Sequence, residues 1–583
     1  MSISSIINSI LIAAMVISLM TVLILSFPNK LNDIFTKRII SIFGSIDNRK
    51  LSLLFKLFSL LMFTGILLIP GHMQGHDNIF HIARISALSE GLKNGQFPVL
   101  IYPSYFEGYG YANGVFYPDA LLYIPAVLKN LGVPIFVAYE ILLLIIVLAS
   151  YLTMYFSCYR MTKSDFIASV ISLLYSTSSY FLVDLYTRSA LGEAQAFIYF
   201  PLVVYGFYSI AYKDVKDGKY FTLGIVGMVL SHMLSIVICV LLVLLMFIAC
   251  YKRFLDDKKR FKSLIVYGLF SIGISLFFIL PVFEMLRSDT FAFSTVRKGK
   301  TTRRAVNPLY TILECSYEGL TAKYIPQGIG IVFIYLLVLT KDYFKNNKND
   351  DFSKKTLYVG WFFLFMSTFV FPWRIMYRVL DIIQFPWRFY ICTTVCLLFA
   401  YVFPLFRKFN EDQNRKKVFA IIISCFSIFT VSITTYDLLS KYYTRTNDFY
   451  YDVMSAEYLP VDVSEEVIEK RGEIITSNNE LEISFKRKGT ELSIDYASNN
   501  NDNTFLELPL IYYKGYKAIE DDKALTIEKG NNGLIRIYPA KESGKIDVFY
   551  GFTNIRKIGM ELSIIVVVIF VWHCKKNTNK IIE

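Results

Sequence analysis

His76-Asp77-Asn78-Ile79-Phe80-His81-Ile82-Ala83-Arg84 follows a long apolar segment ending at Pro70-Gly71 and precedes a loop rich in Gly, Tyr and Pro. Read as a helix, the stretch puts Asp77, His81 and Arg84 at i, i+4 and i+7, one narrow polar stripe on a mostly apolar surface. Ile79, Ile82, Ile85 and Leu92 would face lipid headgroups or protein, and Gly91, Gly95 and Pro98 supply stop signals. The pattern predicts a helix lying on a membrane surface. A merely solvated charge stripe has the same spacing, so the surroundings decide.

Those surroundings are apolar. The 583 residues are 54% hydrophobic and 16% aromatic, with a mean hydropathy of +0.46, far too apolar for a soluble chain of this size. The net charge of +13 comes from basic residues clustered in short loops between apolar runs, the pattern of cytoplasmic loops, which argues against a nucleic-acid partner. Of eight cysteines, Cys239, Cys250, Cys392, Cys396 and Cys425 lie inside apolar runs, and no spacing reads as a disulfide or zinc framework. Residues 6–27 are apolar for longer than a signal-peptide core and lack a basic n-region, so they read as a retained span.

Windows long enough to cross a bilayer fall near 6–27, 51–70, 134–157, 165–183, 195–212, 219–234, 236–251, 263–284, 326–341, 356–371, 388–406, 417–437 and 557–573, about thirteen spans. If the loop carrying Lys30, Lys37, Arg38, Arg49 and Lys50 is cytoplasmic, alternation puts Arg160/Lys163, Lys213/Lys216, Lys252–Lys262, Lys341–Lys355, Arg407–Lys417 and the tail Lys575/Lys576/Lys580 inside as well. The N-terminus is then outside and the C-terminus cytoplasmic. The loops 72–133, 184–194, 285–325 and 372–387 and the region 438–556 share the outer face.

Residues 119–132 carry Pro125 and Lys129 and are too short to span, which predicts a second interfacial helix. From about Tyr442 the chain turns polar, with alternating runs such as Leu481-Glu-Ile-Ser-Phe-Lys and Glu491-Leu-Ser-Ile-Asp-Tyr between Asn/Gly/Asp clusters, the signature of a β-sandwich. The expected fold is an α-helical polytopic membrane protein with a C-terminal extracellular β domain. Its divisions are 1–437 for the membrane domain with outer loop 72–133, 438–556 for the β domain, and 557–583 for a last span and tail.

Several outer residues could carry chemistry. Arg297-Lys-Gly-Lys-Thr-Thr-Arg-Arg304 is basic where outer loops rarely are; it reads as a phosphate-binding loop or a segment drawn to anionic headgroups. Trp373-Arg374, Arg378, Asp381, Gln384 and Phe385-Pro-Trp-Arg388 bracket another outer loop. Arg388 falls at membrane depth, where it needs an anion, either a phosphate or Asp381. Arg188 and Glu193 read as a salt bridge or a pocket lining, and His232 as a core histidine or a site residue. His72/His76 and Asp77/His81 are each four apart, a spacing compatible with a divalent metal. Tyr105, Phe106, Tyr109, Tyr111 and Tyr117 could stack on sugars or anchor the loop in the interface. HExxH, P-loop and strand-linked GxGxxG motifs are absent from the sequence, which leaves acid/base and phosphate chemistry.

His76-Asp77…His81…Arg84, Gly108-Tyr-Gly-Tyr-Ala-Asn-Gly-Val-Phe-Tyr-Pro118, Arg188…Glu193, Ser231-His232 and Gln384-Phe-Pro-Trp-Arg388 resemble a bacterial family of polytopic membrane proteins over most of the chain. That family is often labelled 6-pyruvoyl-tetrahydropterin-synthase-related and is similar to YfhO-type proteins of the GT-C glycosyltransferase superfamily. The pterin label has no counterpart here, because the soluble synthase is a small zinc enzyme. The GT-C resemblance implies inverting transfer from a polyprenyl-phosphate-linked sugar, at the plasma membrane, to an extracytoplasmic glycan, lipid or protein. It also implies a catalytic carboxylate in the first large outer loop, which Asp77 matches by position. His76 or His81 would orient Asp77 or join it in holding a Mg or Mn ion. Arg84, Arg188, Glu193, His232, Arg374, Arg378 and Arg388 would serve the donor phosphate. An extra span, 6–27, precedes the loop, and one Asp stands where some members have an Asp/Glu pair, which leaves metal dependence open. Rival functions are a transporter or flippase for lipid-linked saccharides, and a non-catalytic envelope-assembly protein.

Overall fold

The computed structural model describes residues 3–26, 30–43, 46–67, 69, 72–73, 75–295, 301–312, 328–347, 350–410, 412–441, 443–444, 456–463, 468, 472–478, 480–497 and 504–579. Seven helices among them are long and apolar enough to cross a bilayer: Ile6–Ser26, Arg49–Leu67, Ile135–Thr162, Leu191–Tyr212, Met233–Asp256, Pro386–Phe409 and Asn414–Leu439. Two bent pairs, Asp165–Ser176 with Ser179–Thr187 (47°) and Lys258–Ile274 with Leu276–Ser288 (63°), raise the total to nine if each counts as one span.

By length and composition the described residues do not confirm the expected thirteen. A window of apolar residues does not reveal where its helix ends, and crossing about 30 Å of hydrocarbon needs about 20 helical residues. The windows near 219–234, 326–341 and 356–371 become the helices Lys219–Val229, Val332–Asn346 and Asp351–Ser367, of 11, 15 and 17 residues.

Both bends keep their backbone groups satisfied, as apolar surroundings require. At the first, the Thr177 and Ser178 hydroxyls donate to the Leu173 and Tyr175 carbonyls. At the second, Ser275 Oγ donates to Ser271 O, and Pro281, inside the following helix, lacks an N–H.

The helices present two chemically distinct ends. At one, basic loops meet acidic partners: Arg160 pairs with Asp217, Arg253 and Lys355 with Asp351, and Arg407 bonds Asn347. The other end lies a full helix away: Ile135–Thr162 has 28 residues, about 42 Å at 1.5 Å per residue. There the segments expected on one face do converge. Asp77 N donates to Arg188 O, Arg388 pairs with Glu193, and Phe291 bridges Pro460.

The helix expected to float on the membrane, Asn78–Lys93, is instead packed inside this end, with His81, Arg84, Ile85 and Leu88 buried. The 119–132 stretch forms a short 3-10 turn, Ala120–Leu122, and the helix Tyr123–Asn130.

A two-stranded ladder joins β1 (His72–Met73) to β2 (Tyr443–Thr444). Beyond it follow β3 (Ile475–Thr476), β4 (Glu482–Lys488), β5 (Glu491–Ala497), β6 (Leu506–Ile511), β7 (Tyr516–Glu520), β8 (Lys523–Leu525), β9 (Ile527–Lys529), β10 (Leu534–Ile537) and β11 (Ser543–Tyr550). They form two antiparallel sheets, ordered β3-β6-β10-β9 and β4-β5-β11-β7-β8. Alternation sends Leu492, Ile494 and Tyr496 of β5 inward.

These sheets are seated on the outer loops. Ile511 N donates to Tyr109 O, Lys529 holds Asp289 at 2.7 Å, and Tyr458 stacks on Phe116 at 4.8 Å. Tyr102, Tyr105, Phe106, Tyr109 and Tyr111 are buried in that seam, so they are packing residues rather than sugar platforms. After β11 the helix Asn554–Asn579 runs back along the second bent pair, with Ser563 Oγ accepting from Phe277 N.

Candidate functional site

Asp77 stands at the first turn of Asn78–Lys93 without a side-chain capping bond. Its position is set by backbone: His76 N and Asp77 N donate to Thr187 O and Arg188 O, each at 3.0 Å. That close approach needs Gly75, where a Cβ would overlap Ser189 Oγ and the Tyr186 carbonyl.

The segment it meets, Val183–Thr187, is a π-turn closed by Arg188 N donating to Val183 O at 2.8 Å. Such wide turns recur at functional sites. Here it brings Asp184 Oδ1 within 2.5 Å of Arg188 Nη1. Ser189 follows with φ +51, a left-handed conformation that surrounding contacts must hold.

Arg188 then spans to Glu193, Nη1 to Oε2 and Nη2 to Oε1, both at 3.1 Å. Arg388 Nε reaches the same Oε1 at 2.7 Å, while its Nη1 donates to Ile383 O and Gln384 Oε1, both at 2.9 Å. Gln384 also has a positive φ, +62. Arg388 thus finds its carboxylate in Glu193, 195 positions away, rather than in Asp381. Tyr180 Oη donates to Glu193 Oε2 at 2.8 Å. Arg188, Glu193 and Arg388 are all buried.

Three guanidiniums surround the Phe385 ring: Arg304 at 4.3 Å, Arg388 at 5.0 Å and Arg188 at 5.7 Å. Against them stand the carboxylates Asp184 and Glu193, with Asp77 within electrostatic reach of Arg188 and Arg388. Arg304 has no ion pair among the described residues, and burial followed by the Arg388 charge lowers its pKa. A half-buried guanidinium without an ion pair is a candidate anion site. Of the rest of the basic loop, Arg303 is exposed, and Arg297, Lys298 and Lys300 lie outside the described residues.

Asp77 remains open to solvent, yet feels this cluster. Burial by the surrounding wall raises its carboxyl pKa, Arg188, His76 and Arg388 pull it down, and Glu193 pushes it up. His232 is buried, donates to or accepts from Ser235 Oγ at 2.9 Å, and packs on Gly192, where a Cβ would overlap Tyr117 Oη. Burial pushes its pKa down to about 3, so it is a neutral wall of the site.

Other residues expected here play different parts. Arg84 is wholly buried, paired with Asp119 at 2.5 Å and covered by Tyr117 at 3.9 Å; it holds the outer loop together and does not face a phosphate. Both ring nitrogens of His81 face N–H donors, Nδ1 toward Arg84 at 3.1 Å and Nε2 toward Leu191 N at 3.3 Å. Burial and then the Arg84 charge keep its pKa well below the usual range. A metal would need a lone pair that those donors occupy, and no three His, Cys, Asp or Glu converge as a metal set among the described residues. The set His76, Asp77 and His81 therefore does not fit a divalent ion, and the His72 side chain lies outside the described residues. Arg374 and Arg378 are exposed on Trp373–Leu380, with no ion pair among the described residues.

Asp184, Tyr180 and Phe385 joined the site only in three dimensions. The Gln384-Phe-Pro-Trp-Arg388 grouping was the one sequence signal for Phe385.

A small cavity of ≈ 30 Å³ lies beside the cluster. Ile66, Leu67, Phe136, Leu143 and Leu185 give it apolar walls, and Asn78, Ser189 and Glu140 are its polar lining.

The family described as bacterial membrane protein YfhO matches residues 118–456, more than half of the chain. The chain belongs to the YfhO family. It is a multi-pass bacterial membrane protein, and the matched segment holds Arg188, Glu193, His232, Arg304 and Arg388 but not Asp77. The tetrahydropterin-synthase-related label finds no support. This YfhO-family chain is also similar to an uncharacterized protein of Lactococcus lactis subsp. cremoris (strain MG1363), 24% identical, covering 84% of this chain and 89% of the relative.

Among solved structures, an Archaeoglobus fulgidus oligosaccharyltransferase in complex with Zn and sulfate shows a TM-score of 0.39 and 13% identity over 68% of this chain. The archaeal oligosaccharyltransferase AglB from Archaeoglobus fulgidus, with an inhibitory peptide and a dolichol-phosphate, shows 0.38 and 12% over 70%. Both are distant likenesses, and the chain spans only 54% and 57% of their lengths.

Proposed function

We propose that this YfhO-family chain is a membrane glycosyltransferase that moves a sugar from a polyprenyl-phosphate donor to a hydroxyl of an extracytoplasmic acceptor, with Asp77 as general base. The observation that carries this reading is a solvent-open carboxylate, Asp77, within electrostatic reach of the buried arginines Arg188 and Arg388, with Arg304 beside them on the Phe385 ring and without an ion pair among the described residues. A base and an anion site on opposite sides of one space are what transfer from a sugar phosphate requires.

Asp77 accepts the acceptor's O–H proton as that oxygen attacks the anomeric carbon. The bond from that carbon to the phosphate oxygen breaks, and its electron pair leaves on the polyprenyl phosphate. Attack opposite the leaving group inverts the anomeric centre. Charge builds on the departing phosphate, and Arg388, buried and held by Gln384 and Glu193, stabilises it there together with Arg304 over the Phe385 ring. The apolar side chains Ile66, Leu67, Phe136 and Leu143 beside Asn78 and Ser189 are the support for laying the adjoining prenyl chain on this side of the site. In this reading the converged end faces outside, as the basic character of the opposite end favours.

The test is transfer by the purified, membrane-reconstituted chain supplied with radiolabelled polyprenyl-phosphate sugars and envelope acceptors. Label is expected to move from lipid to acceptor. Movement of intact lipid-linked sugar across the bilayer, with no release from the lipid, would replace this reading with a flippase.

A further inference from the structure

Trp373–Leu380 is a helix of 8 residues, about 12 Å long and too short to cross a bilayer. It stands at the converged end, between the helix Asp351–Ser367 and the span Pro386–Phe409. Helical spacing divides its surface into three stripes. Trp373, Tyr377 and Leu380 form the first, Arg374 and Arg378 the second, and Ile375 and Val379 the third.

The first stripe faces protein and fixes the roll of the helix. Trp373 is buried, with Nε1 donating to Thr368 O at 3.1 Å and its ring against Phe371 at 5.1 Å and Phe389 at 6.3 Å. Leu380 packs on the same core. That anchoring turns the other two stripes outward. Ile375 and Val379 are 72% and 75% exposed, and exposed Phe369, Val370 and Ile382 extend the apolar surface beyond both ends of the helix. Beside it, Arg374 and Arg378 are exposed and have no ion pair among the described residues.

A contiguous exposed apolar surface marks a place where something other than water sits. An apolar stripe flanked by cations is the surface of a helix in a membrane interface, with its apolar edge among acyl chains and its basic edge at the phosphates. The charge has the sign that anionic headgroups require, since residues 369–382 hold two arginines against one carboxylate, Asp381. A bilayer is at hand, because the next span begins at Pro386. Asn78–Lys93, the helix expected on the membrane surface, is packed inside this end; the interfacial character lies in Trp373–Leu380 instead.

We propose that Trp373–Leu380, with Phe369, Val370 and Ile382, is a membrane-docking helix. It seats its apolar stripe in the leaflet at the converged end and holds anionic lipid headgroups with Arg374 and Arg378. The helix packs on Thr301–Arg304 and leads through Asp381–Ile383 into Gln384, so docking pins the arginine cluster to the headgroup plane. The docking does not depend on the glycosyltransferase reading.

The full chain in nanodiscs of phosphatidylcholine and phosphatidylglycerol provides the test. With native cysteines replaced, Val379→Cys carries an NBD fluorophore, and Lys523→Cys, exposed on the sheets, serves as the reference. At position 379 acyl-doxyl lipids are expected to quench strongly and aqueous iodide weakly; at 523 the order reverses. At equal low mole fraction, doxyl-phosphatidylglycerol should be favoured over doxyl-phosphatidylcholine at 379 by about fivefold or more, the effect of one basic residue at an anionic surface. Arg374→Gln/Arg378→Gln should abolish that preference, and Arg374→Lys/Arg378→Lys should keep it. A 379 probe quenched by iodide but not by lipid, hence facing water, would overturn the proposal. So would a probe shielded from both, hence covered by protein, or a lipid preference unchanged in the glutamine variant. Docking in a wild type that transfers nothing would sink the glycosyltransferase reading and leave the docking helix standing.

Discussion

Arg84 and Arg388 are both buried arginines at the same end of the molecule, and they are there for different reasons. Arg84 has one carboxylate, Asp119, and an aromatic cover. Arg84→Ala strands a buried charge and is expected to cost about 3–5 kcal/mol, read as a lowered melting temperature in detergent. Arg84→Met with Asp119→Asn should recover part of it. Arg388→Ala should instead cut transfer about 100-fold or more, as loss of a donor to a developing anion does. The exposed pair Arg374→Ala/Arg378→Ala should change transfer by less than about threefold, the modest effect of surface charges near headgroups. For Asp77 the sign is set by its raised pKa. Only the carboxylate can accept a proton, so transfer should rise with pH through a midpoint above the ordinary aspartate value of 3.8. Folding raises this pKa, so the group's contribution to stability is present at acid pH and is lost as pH climbs through the folded-state value. At this scale the sequence exposed the Arg188–Glu193 pair, because five positions separate them. It could not expose Arg388–Glu193 or Arg84–Asp119, whose partners are brought in by tertiary packing, and Asp381 looked the better match only because it was near.

Among the elements, the π-turn Val183–Thr187 does the positioning. The turn's wide hydrogen bond is invisible to a pattern of apolar residues, which showed only that 165–183 was long enough to span. The same limitation leaves the span count of thirteen unconfirmed: apolar windows give composition, whereas Ser, Thr and Pro at the bends and short helix lengths give the path. The helix Asn78–Lys93 was legible as a helix from its spacing, but not as a buried one, since a polar stripe satisfied by Asp119 and Leu191 N looks the same in sequence as one facing solvent. The seat of the sheets supplies an element-level prediction. Tyr458, stacked on Phe116 at 4.8 Å, is wedged between the helical part and the sheets, so Tyr458→Ala should lower the melting temperature in detergent while β-rich circular dichroism is retained.

For the whole molecule, alternation of basic loops correctly grouped distant segments at common ends, because charge asymmetry is imposed by membrane insertion and does not depend on packing. The seating of the sheets on the first outer loop had no sequence signal; it rests on buried tyrosines that read equally well as interface anchors. The orientation itself is open to a direct check. With native cysteines replaced, a cysteine at Leu309, which is 76% exposed, should react with an impermeant maleimide in intact cells, and one at Asp257 only after lysis.

The central claim is that Asp77 takes the acceptor proton beside the arginine cluster. The most direct measurement compares wild type and Asp77→Asn for binding of a radiolabelled polyprenyl-phosphate sugar and for its transfer. The account predicts binding within about threefold of wild type with transfer reduced about 100-fold or more, the scale of a lost general base. Equal transfer by both proteins would contradict it.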